Sequence, residues 1–286
     1  MWLILALVSA ISAGFVSIAV KLGMKDIDSN LGTLLRTVVV LVFTFIMVLI
    51  VGSLNEISKI TWFEWIFITA SGLATGLSWL CYFRALQLGS VNKVVPVDRL
   101  STVLTMTLAI IIFGESFWWL TPIAMGIMIV GTMLMIRKNK TEANEKQSNL
   151  WLIYAVLSLV FASAVAILAK VGMENVDSRL GTFLRTAVVL VMAFIIVASQ
   201  KKLSAVRRLT KLNWIFILIS GVLTGISWLC YFAAIQIGPV SVIVPIDKLS
   251  ILITVLFSYI LFKEKLSKKA LLGLVLLTGG TLLLII

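Results

Sequence analysis

Residues 71–101 read SGLATGLSWLCYFRALQLGSVNKVVPVDRLS, and residues 220–250 read SGVLTGISWLCYFAAIQIGPVSVIVPIDKLS. Nineteen of the 31 positions are identical, at a constant offset of 149 and without a gap. The same offset carries KLGMKDIDSNLGTLLRT (21–37) onto KVGMENVDSRLGTFLRT (170–186). A repeat of this length means that one structural unit has been used twice.

Around the repeats the chain is 61% apolar and 13% charged, with a mean hydropathy of +1.14. A soluble domain cannot hide that much apolar surface, so an all-α integral membrane protein is expected. The opening residues MWLILALVSA carry no basic n-region and read as a retained helix, not a cleaved signal peptide. Apolar stretches long enough to cross a hydrocarbon core of about 30 Å fall near 2–22, 32–52, 62–84, 91–113 and 118–136. The second set lies near 150–170, 180–198, 212–233, 240–262 and 268–286. The expected layout is therefore a first five-helix repeat over 1–136, a polar cytoplasmic linker over 137–149 and a second repeat over 150–286. Continuous apolar runs exclude a β-barrel, whose strands alternate every second residue.

An odd number of crossings reverses direction, so the ten transmembrane helices form two inverted five-helix repeats. Let the A end hold the N-terminus and the B end be its opposite. Of the 24 Lys and Arg, seventeen fall in B-end loops, three (Lys59, Lys170, Arg179) at the A end and four within helices. Cytoplasmic loops are enriched in Lys and Arg, which predicts a cytoplasmic B end, both termini outside and a location in the plasma or inner membrane. Equivalent loops differ in the same sense. The second and fourth loops of repeat one carry only Lys59, whereas their counterparts carry nine basic residues. The net charge of +12 is thus a matter of topology, and no nucleic-acid partner is expected.

The segments YFRALQLG and YFAAIQIG, the FGE (113–115) and FKE (262–264) endings and the Gly-bearing last helix of each half resemble the EamA-type unit of the drug/metabolite transporter superfamily. The resemblance covers nearly the whole chain as two fused units. It implies a ten-helix secondary transporter for small metabolites or, in some branches, lipid-linked sugars. Single-unit relatives work as dimers. The Glu-Pro pair common in the fourth helix of the family is replaced here by Ser101-Thr102 and Ser250-Ile251. Better-known ten-helix members are drawn with cytoplasmic termini, opposite to what the charges predict here.

The motif P-[VI]-D-[RK]-L-S supplies Asp98, Arg99, Ser101 and Asp247, Lys248, Ser250. Asp98, Ser101 and Thr105 share one helical face, as do Asp247, Ser250 and Thr254. Such a polar stripe is expected to face the bundle interior as part of a substrate site. Alternatively it marks a helix entry, with Pro in the first turn and an acid complementing the dipole. Thr75, Ser78, Trp79 and Tyr82, repeated as Thr224, Ser227, Trp228 and Tyr231, offer aromatic walls with polar donors, or else interfacial anchors. Arg36 and Arg185 lie about two turns into their helices. They are expected to pair with Asp98 and Asp247 as two gates, or to snorkel to the headgroups. The GxxxG pairs Gly72/Gly76 and Gly221/Gly225 read as close helix packing. Glu115 and Glu264 read as solvated cap or loop acids, and Cys81 and Cys230 as buried thiols.

No histidine is present, so a His relay or His-ligated metal is excluded. No P-loop or nucleophile-base motif is found, and neither an enzyme nor a cofactor is expected. The first and sixth helices lack the glutamate that small multidrug members of the superfamily use. The predicted function is export of a small polar organic metabolite, amino-acid- or sugar-like, by alternating access. A lipid-linked-headgroup flippase and a non-transport scaffold are the alternatives. The predicted partners are a small-molecule substrate and the lipid bilayer, with a coupling proton or counter-substrate, and the protein a monomer or homodimer.

Overall fold

The computed structural model describes residues 1–24, 27–89, 91–116, 118–135, 150–263 and 267–285, excepting the side chains of 91–93, 96 and 262. The 137–149 linker, Glu264 and the side chain of Pro96 thus lie outside the described residues. Repeat one contributes α1 (Trp2–Gly23), α2 (Ser29–Val51), α3 (Trp62–Leu88), α4 (Val91–Arg99), α5 (Ser101–Phe113) and α6 (Leu120–Met135). Repeat two contributes α7 (Leu150–Gly172), α8 (Ser178–Ser199), α9 (Lys211–Ile237), α10 (Val240–Lys248), α11 (Ser250–Phe262) and α12 (Lys268–Leu283). The protein is all-α, and among the described residues seven spans are long and apolar enough to cross a membrane, with α10–α11 taken as one. Large apolar side chains such as Ile50, Ile111 and Val275 point outward, as a lipid-facing surface requires.

Local signals in the two halves match. Asp28 caps α2 by accepting from the Asn30 and Leu31 N–H groups, and Asp177 caps α8 from Arg179 and Leu180. Thr61 with Glu64, and Thr210 with Asn213, form capping boxes that start α3 and α9. One expectation needs correction. The fourth and ninth crossings are not continuous but break at Leu100 and Leu249 into α4–α5 and α10–α11. Pro245 has no N–H for the helix ladder. Four residues later the Leu249 N–H bonds the Ile246 carbonyl at 2.9 Å, three residues back instead of four. The apolar run continues through the break, so hydropathy does not reveal it.

The repeats pack as counterparts. α3 lies on α7 and, by the offset, α1 on α9, while α2 packs on α8 and α6 on α12. The last two pairs run antiparallel. Along α2/α8 the partners are Asp28 with Lys202 (2.6 Å), Asn30 with Gln200 (2.8 Å) and Phe45 with Phe183 (ring centroids 5.3 Å). Along α6/α12, Gly131 lies against the Gly273 carbonyl and Gly280 against that of Ala124. As one number rises the other falls, so the halves fit an inverted repeat. The GxxxG glycines do pack closely. A Cβ on Gly72 or Gly76 would lie 2.7 or 2.5 Å from Val188 or Met192, and one on Gly221 or Gly225 would lie 2.5 Å from Val39 or Phe43.

The two ends of the bundle differ. At the A end, Ala6, Val48, Leu180, Ala234 and Ile243 belong to one buried cluster. Their B-end equivalents at the 149 offset fall in two separate clusters, Leu31 and Val197 in one and Ala85, Val94 and Ala155 in the other. α10 packs on α5 and α9 on α8 at the A end, whereas α4 has no comparable packing on α11, nor α3 on α2. Among the described residues, then, the bundle is sealed at A and parted at B.

Glu115 fastens the A end as a cap acid, buried where a solvated one was expected. Its side chain is 7% exposed and accepts from the Val240 and Ser241 N–H groups (2.7 and 2.8 Å) and from Lys170 Nζ (3.1 Å). A carboxylate of repeat one thus caps α10 of repeat two, where orphan N–H groups and the helix dipole favour a negative charge. Burial alone would raise the Glu115 carboxyl, but the Ser241 and Val240 donors and Lys170 outweigh it and hold the group below the ordinary carboxylate range.

Two outcomes follow. Gly131→Val should lower the thermal stability of the detergent-solubilised protein by about 1–3 kcal/mol from overpacking, while Gly126→Val, with nothing within 4 Å, should leave it unchanged. Glu115→Gln should cost on the order of 1–3 kcal/mol at neutral pH. Because the folded-state pKa is lowered, that contribution is present above the ordinary Glu pKa of 4.5 and fades as pH falls through the folded value, so wild type and variant should converge in acid.

Candidate functional site

Asp98 stands at the C-terminal end of α4 and Asp247 at that of α10, beside the two helix breaks. Each reaches across to the first helix of the opposite repeat. The Ser158 hydroxyl on α7 donates to Asp98 Oδ1 at 3.1 Å, and the Ser9 hydroxyl on α1 donates to Asp247 Oδ1 at 3.0 Å. A third hydroxyl completes each set, with Ser78 3.5 Å from Ser158 and Ser227 3.1 Å from Ser9. A serine has one proton to give, so the Ser9 proton on Asp247 leaves Ser227 to donate to Ser9. The result is two symmetry-related Asp–Ser–Ser chains, each spanning the repeat interface.

The stripes continue along the same faces. Thr105, 3% exposed, donates to the Ser101 carbonyl and lies 3.4 Å from that of Ser163 on α7. Thr254 donates to Ser250 and lies 3.4 Å from the Gly14 carbonyl on α1. Both faces therefore turn to the opposite repeat. Of the next pair in the motif, Arg99 is exposed and Lys248 half-buried. Thr75, Ser78, Thr224 and Ser227 are buried, and Trp79, Tyr82, Trp228 and Tyr231 half-buried. Trp79 packs on the Leu31 cluster, Tyr82 on the Ala85 cluster, and Trp228 and Tyr231 on the A-end core. These rings pack against protein on one side. Cys81 and Cys230 are free and half-buried, less enclosed than expected.

The expected Arg–Asp pairs are not formed. Arg185, 1% exposed, gives Nε to Ser71 Oγ at 3.3 Å and Nη2 to Thr75 Oγ1 at 2.9 Å, both on α3. Its guanidinium lies 4.0 Å from the Phe232 ring centroid and 5.4 Å from that of Trp228, both on α9. Arg36 is half-buried and has no ion pair, hydrogen bond or ring contact with another described residue. The geometry gives the reason. α8 turns its arginine to α3 and α9, whereas α10 turns its aspartate to α1, so similar depth does not bring them together. Of the four residues read as gates, the aspartates have equivalent partners in both halves, and only the arginines differ.

Ser9, Ser158, Ser71 and Phe232 were missed by sequence reasoning. Ser9 and Ser158 stand 149 apart, as Ser71 and Ser220 do, so aligning the halves and seeking polar residues repeated inside apolar helices would have found them.

The comparisons agree with this architecture. A crystal structure of a protein superposes with a TM-score of 0.76 at 15% identity, covering 98% of this chain and 95% of that one, which shows a shared fold. An uncharacterized transporter in the cobO 3' region of Sinorhizobium sp. is 36% identical over 137 residues, spanning 48% of this chain and 97% of the relative. The EamA-like transporter family matches residues 1–137 and again 149–286. With matches over both halves, this chain belongs to the EamA-like transporter family, a family of multi-pass membrane transporters and not of enzymes.

Proposed function

We propose that the protein is a secondary transporter that exports a small polar organic solute, amino-acid- or sugar-like, by alternating access. The observation that carries this reading is the difference between the two ends. Two halves of related sequence are packed shut at A and parted at B, which is the asymmetry that an inverted repeat exchanges when it switches. The site lies between the halves, where the Asp98 and Asp247 chains and the aromatic walls face each other's repeat. Hydroxyls, carboxylates and rings of this kind orient a polar organic molecule. The coupling partner is a proton or a counter-substrate.

The B end is the cytoplasmic one in this reading, which makes the present conformation inward-open. Support comes from the backbone as well as from the charge count. Gly52 and Gly114 of repeat one adopt positive φ (80° and 62°), and the equivalent positions of repeat two are Lys201 and Lys263 (55° and 53°). An L-residue in that region costs about 1 kcal/mol that glycine does not. Lysine has replaced the conformationally suited residue only in the loops that the positive-inside rule would charge.

Three measurements test this reading. In liposome counterflow assays with amino-acid, sugar and nucleotide panels, at least one class should accumulate, and Asp98→Asn or Asp247→Asn should cut the rate about tenfold or more. Accumulation of none by folded protein contradicts the function. With Cys81 and Cys230 replaced, Lys201→Cys should react with an impermeant thiol reagent from the cytoplasm and Lys59→Cys from outside; the opposite pattern inverts the assigned orientation. Lys263→Gly should raise stability by about 1 kcal/mol by relieving the left-handed turn.

A further inference from the structure

The arginine cage at the A end has a complete copy at the B end that is not assembled. Arg185, Ser71, Thr75, Trp228 and Phe232 become Arg36, Ser220, Thr224, Trp79 and Phe83 at the 149 offset, and all five residue types are kept. At the A end the cage is closed around the guanidinium. At the B end the same residues do not bond Arg36, although their hydroxyls give their protons much as the A-end ones do, Thr75 to the Ser71 carbonyl and Ser71 to that of Val165. Ser220 donates to its own helix at Ile217 and contacts the Met24 sulfur, Thr224 donates to the Ser220 carbonyl, and Trp79 packs on the Leu31 cluster.

The backbone setting of the two arginines is nevertheless equivalent. The Arg185 carbonyl lies 2.9 Å from where a Cβ on Gly72 would stand, and the Arg36 carbonyl lies 3.2 Å from the corresponding point on Gly221. What differs is the aromatic side of the cage. α9 packs on α8 and brings Trp228 and Phe232 over Arg185, while α3 has no comparable packing on α2 and leaves Arg36 without its rings. Arg36 is therefore a guanidinium within a membrane-spanning helix, on the parted side, with no carboxylate, hydroxyl or ring of a described residue on it.

A cation at that depth is costly unless something neutralises it. The closed cage does so with two hydroxyl oxygens and two π faces; the open one has five N–H donors to offer in a planar fork. Such a fork matches a planar or tetrahedral oxyanion in bidentate geometry. We infer that Arg36 in this conformation, and Arg185 in the mirrored one, seats an anionic group of the transported solute: a carboxylate, phosphate or sulfonate. This rests on the transport reading above and narrows its substrate class. As the B end closes, Ser220, Thr224, Trp79 and Phe83 take over Arg36 and displace the anion, while the opening of the A end strips the cage from Arg185. The cage and the solute compete for the same guanidinium, so the seat is released on the side that closes. Neutral sugars fall outside this class, and amino acids and acidic or phosphorylated metabolites fall within it.

The test uses matched pairs in phosphatidylcholine proteoliposomes: leucine with leucinamide, and glucose 6-phosphate with glucose, assayed by counterflow with wild type, Arg36→Gln, Arg36→Lys and Arg185→Gln. The acid-bearing member of at least one pair should be carried and its partner excluded. Arg36→Gln should reduce that transport about tenfold or more, with Arg36→Lys retaining a larger share, as loss of a charge-assisted hydrogen bond predicts. Because Arg185 is sealed in the core and its variant is prone to misfold, ligand-induced thermal stabilisation is read at Arg36 as well. The carried acid should raise the melting temperature of wild type but not of Arg36→Gln. Equal transport of the partners that lack the acid group, or wild-type rates in Arg36→Gln, would overturn the anion seat and leave the transporter reading standing. Stabilisation seen only with added anionic phospholipid would assign the seat to a lipid headgroup and overturn the solute assignment. Transport of neither pair by folded protein, joined with a negative amino-acid, sugar and nucleotide panel, removes the transport reading and this inference with it.

Discussion

A carboxylate inside a bilayer has no bulk water to turn to, and Asp98 and Asp247 must be satisfied by protein. Each is answered by a serine on the first helix of the other repeat. That requirement ties the two halves together at their polar centre. It also sets which helices face each other: α4 to α7 and α10 to α1, with α3 and α9 bringing the third hydroxyl of each set. A single repeat would expose these acids to hydrocarbon. The antiparallel contacts of α2 with α8 and of α6 with α12 then close the frame around the centre.

Within that frame two related repeats are held in different arrangements. Glu115 on the α10 N-terminus, Lys170 beside it and the caged Arg185 all belong to the sealed end. Gln236 adds to it by donating to the Met173 and Val176 carbonyls, whereas Gln87, its equivalent, accepts from the exposed Arg84. Gln236 thus bonds carbonyls of the α7–α8 connection at one end, while Gln87 meets a neighbour on its own helix at the other. Packed interfaces of this kind have discrete arrangements rather than a continuum, which suits a protein that must present one site to two sides. The aspartate chains are intact in both halves, and the arginines differ between them.

The Arg–Asp pairing shows where reasoning from sequence fails. Pairing unlike charges at matching depth is sound electrostatics, yet helix rotation decides which side chains meet. Arg185 is content with hydroxyls and aromatic faces because a guanidinium is weakly hydrated and stacks well. Glu115 shows the converse. A carboxylate at the end of an apolar helix looks solvated in sequence, but the neighbouring repeat supplies a helix N-terminus, and the acid becomes buried and bonded.

Much was legible from the residues alone. The 149-residue offset, the apolar runs and the odd number of crossings determine a membrane protein of two inverted units, because hydropathy and chain direction are properties of the sequence itself. The caps at Asp28, Thr61, Asp177 and Thr210 are equally local, since each side chain bonds N–H groups two or three residues away. The serines that answer the aspartates and the cage around Arg185 were decided only by the tertiary structure. Each depends on contacts between helices 58 to 240 residues apart, such as Thr105 with Ser163 and Thr254 with Gly14, and on how each helix is rotated about its axis. The same five residue types are assembled around Arg185 and open around Arg36, a difference that the five residues alone do not announce and that the packing of the neighbouring helices decides.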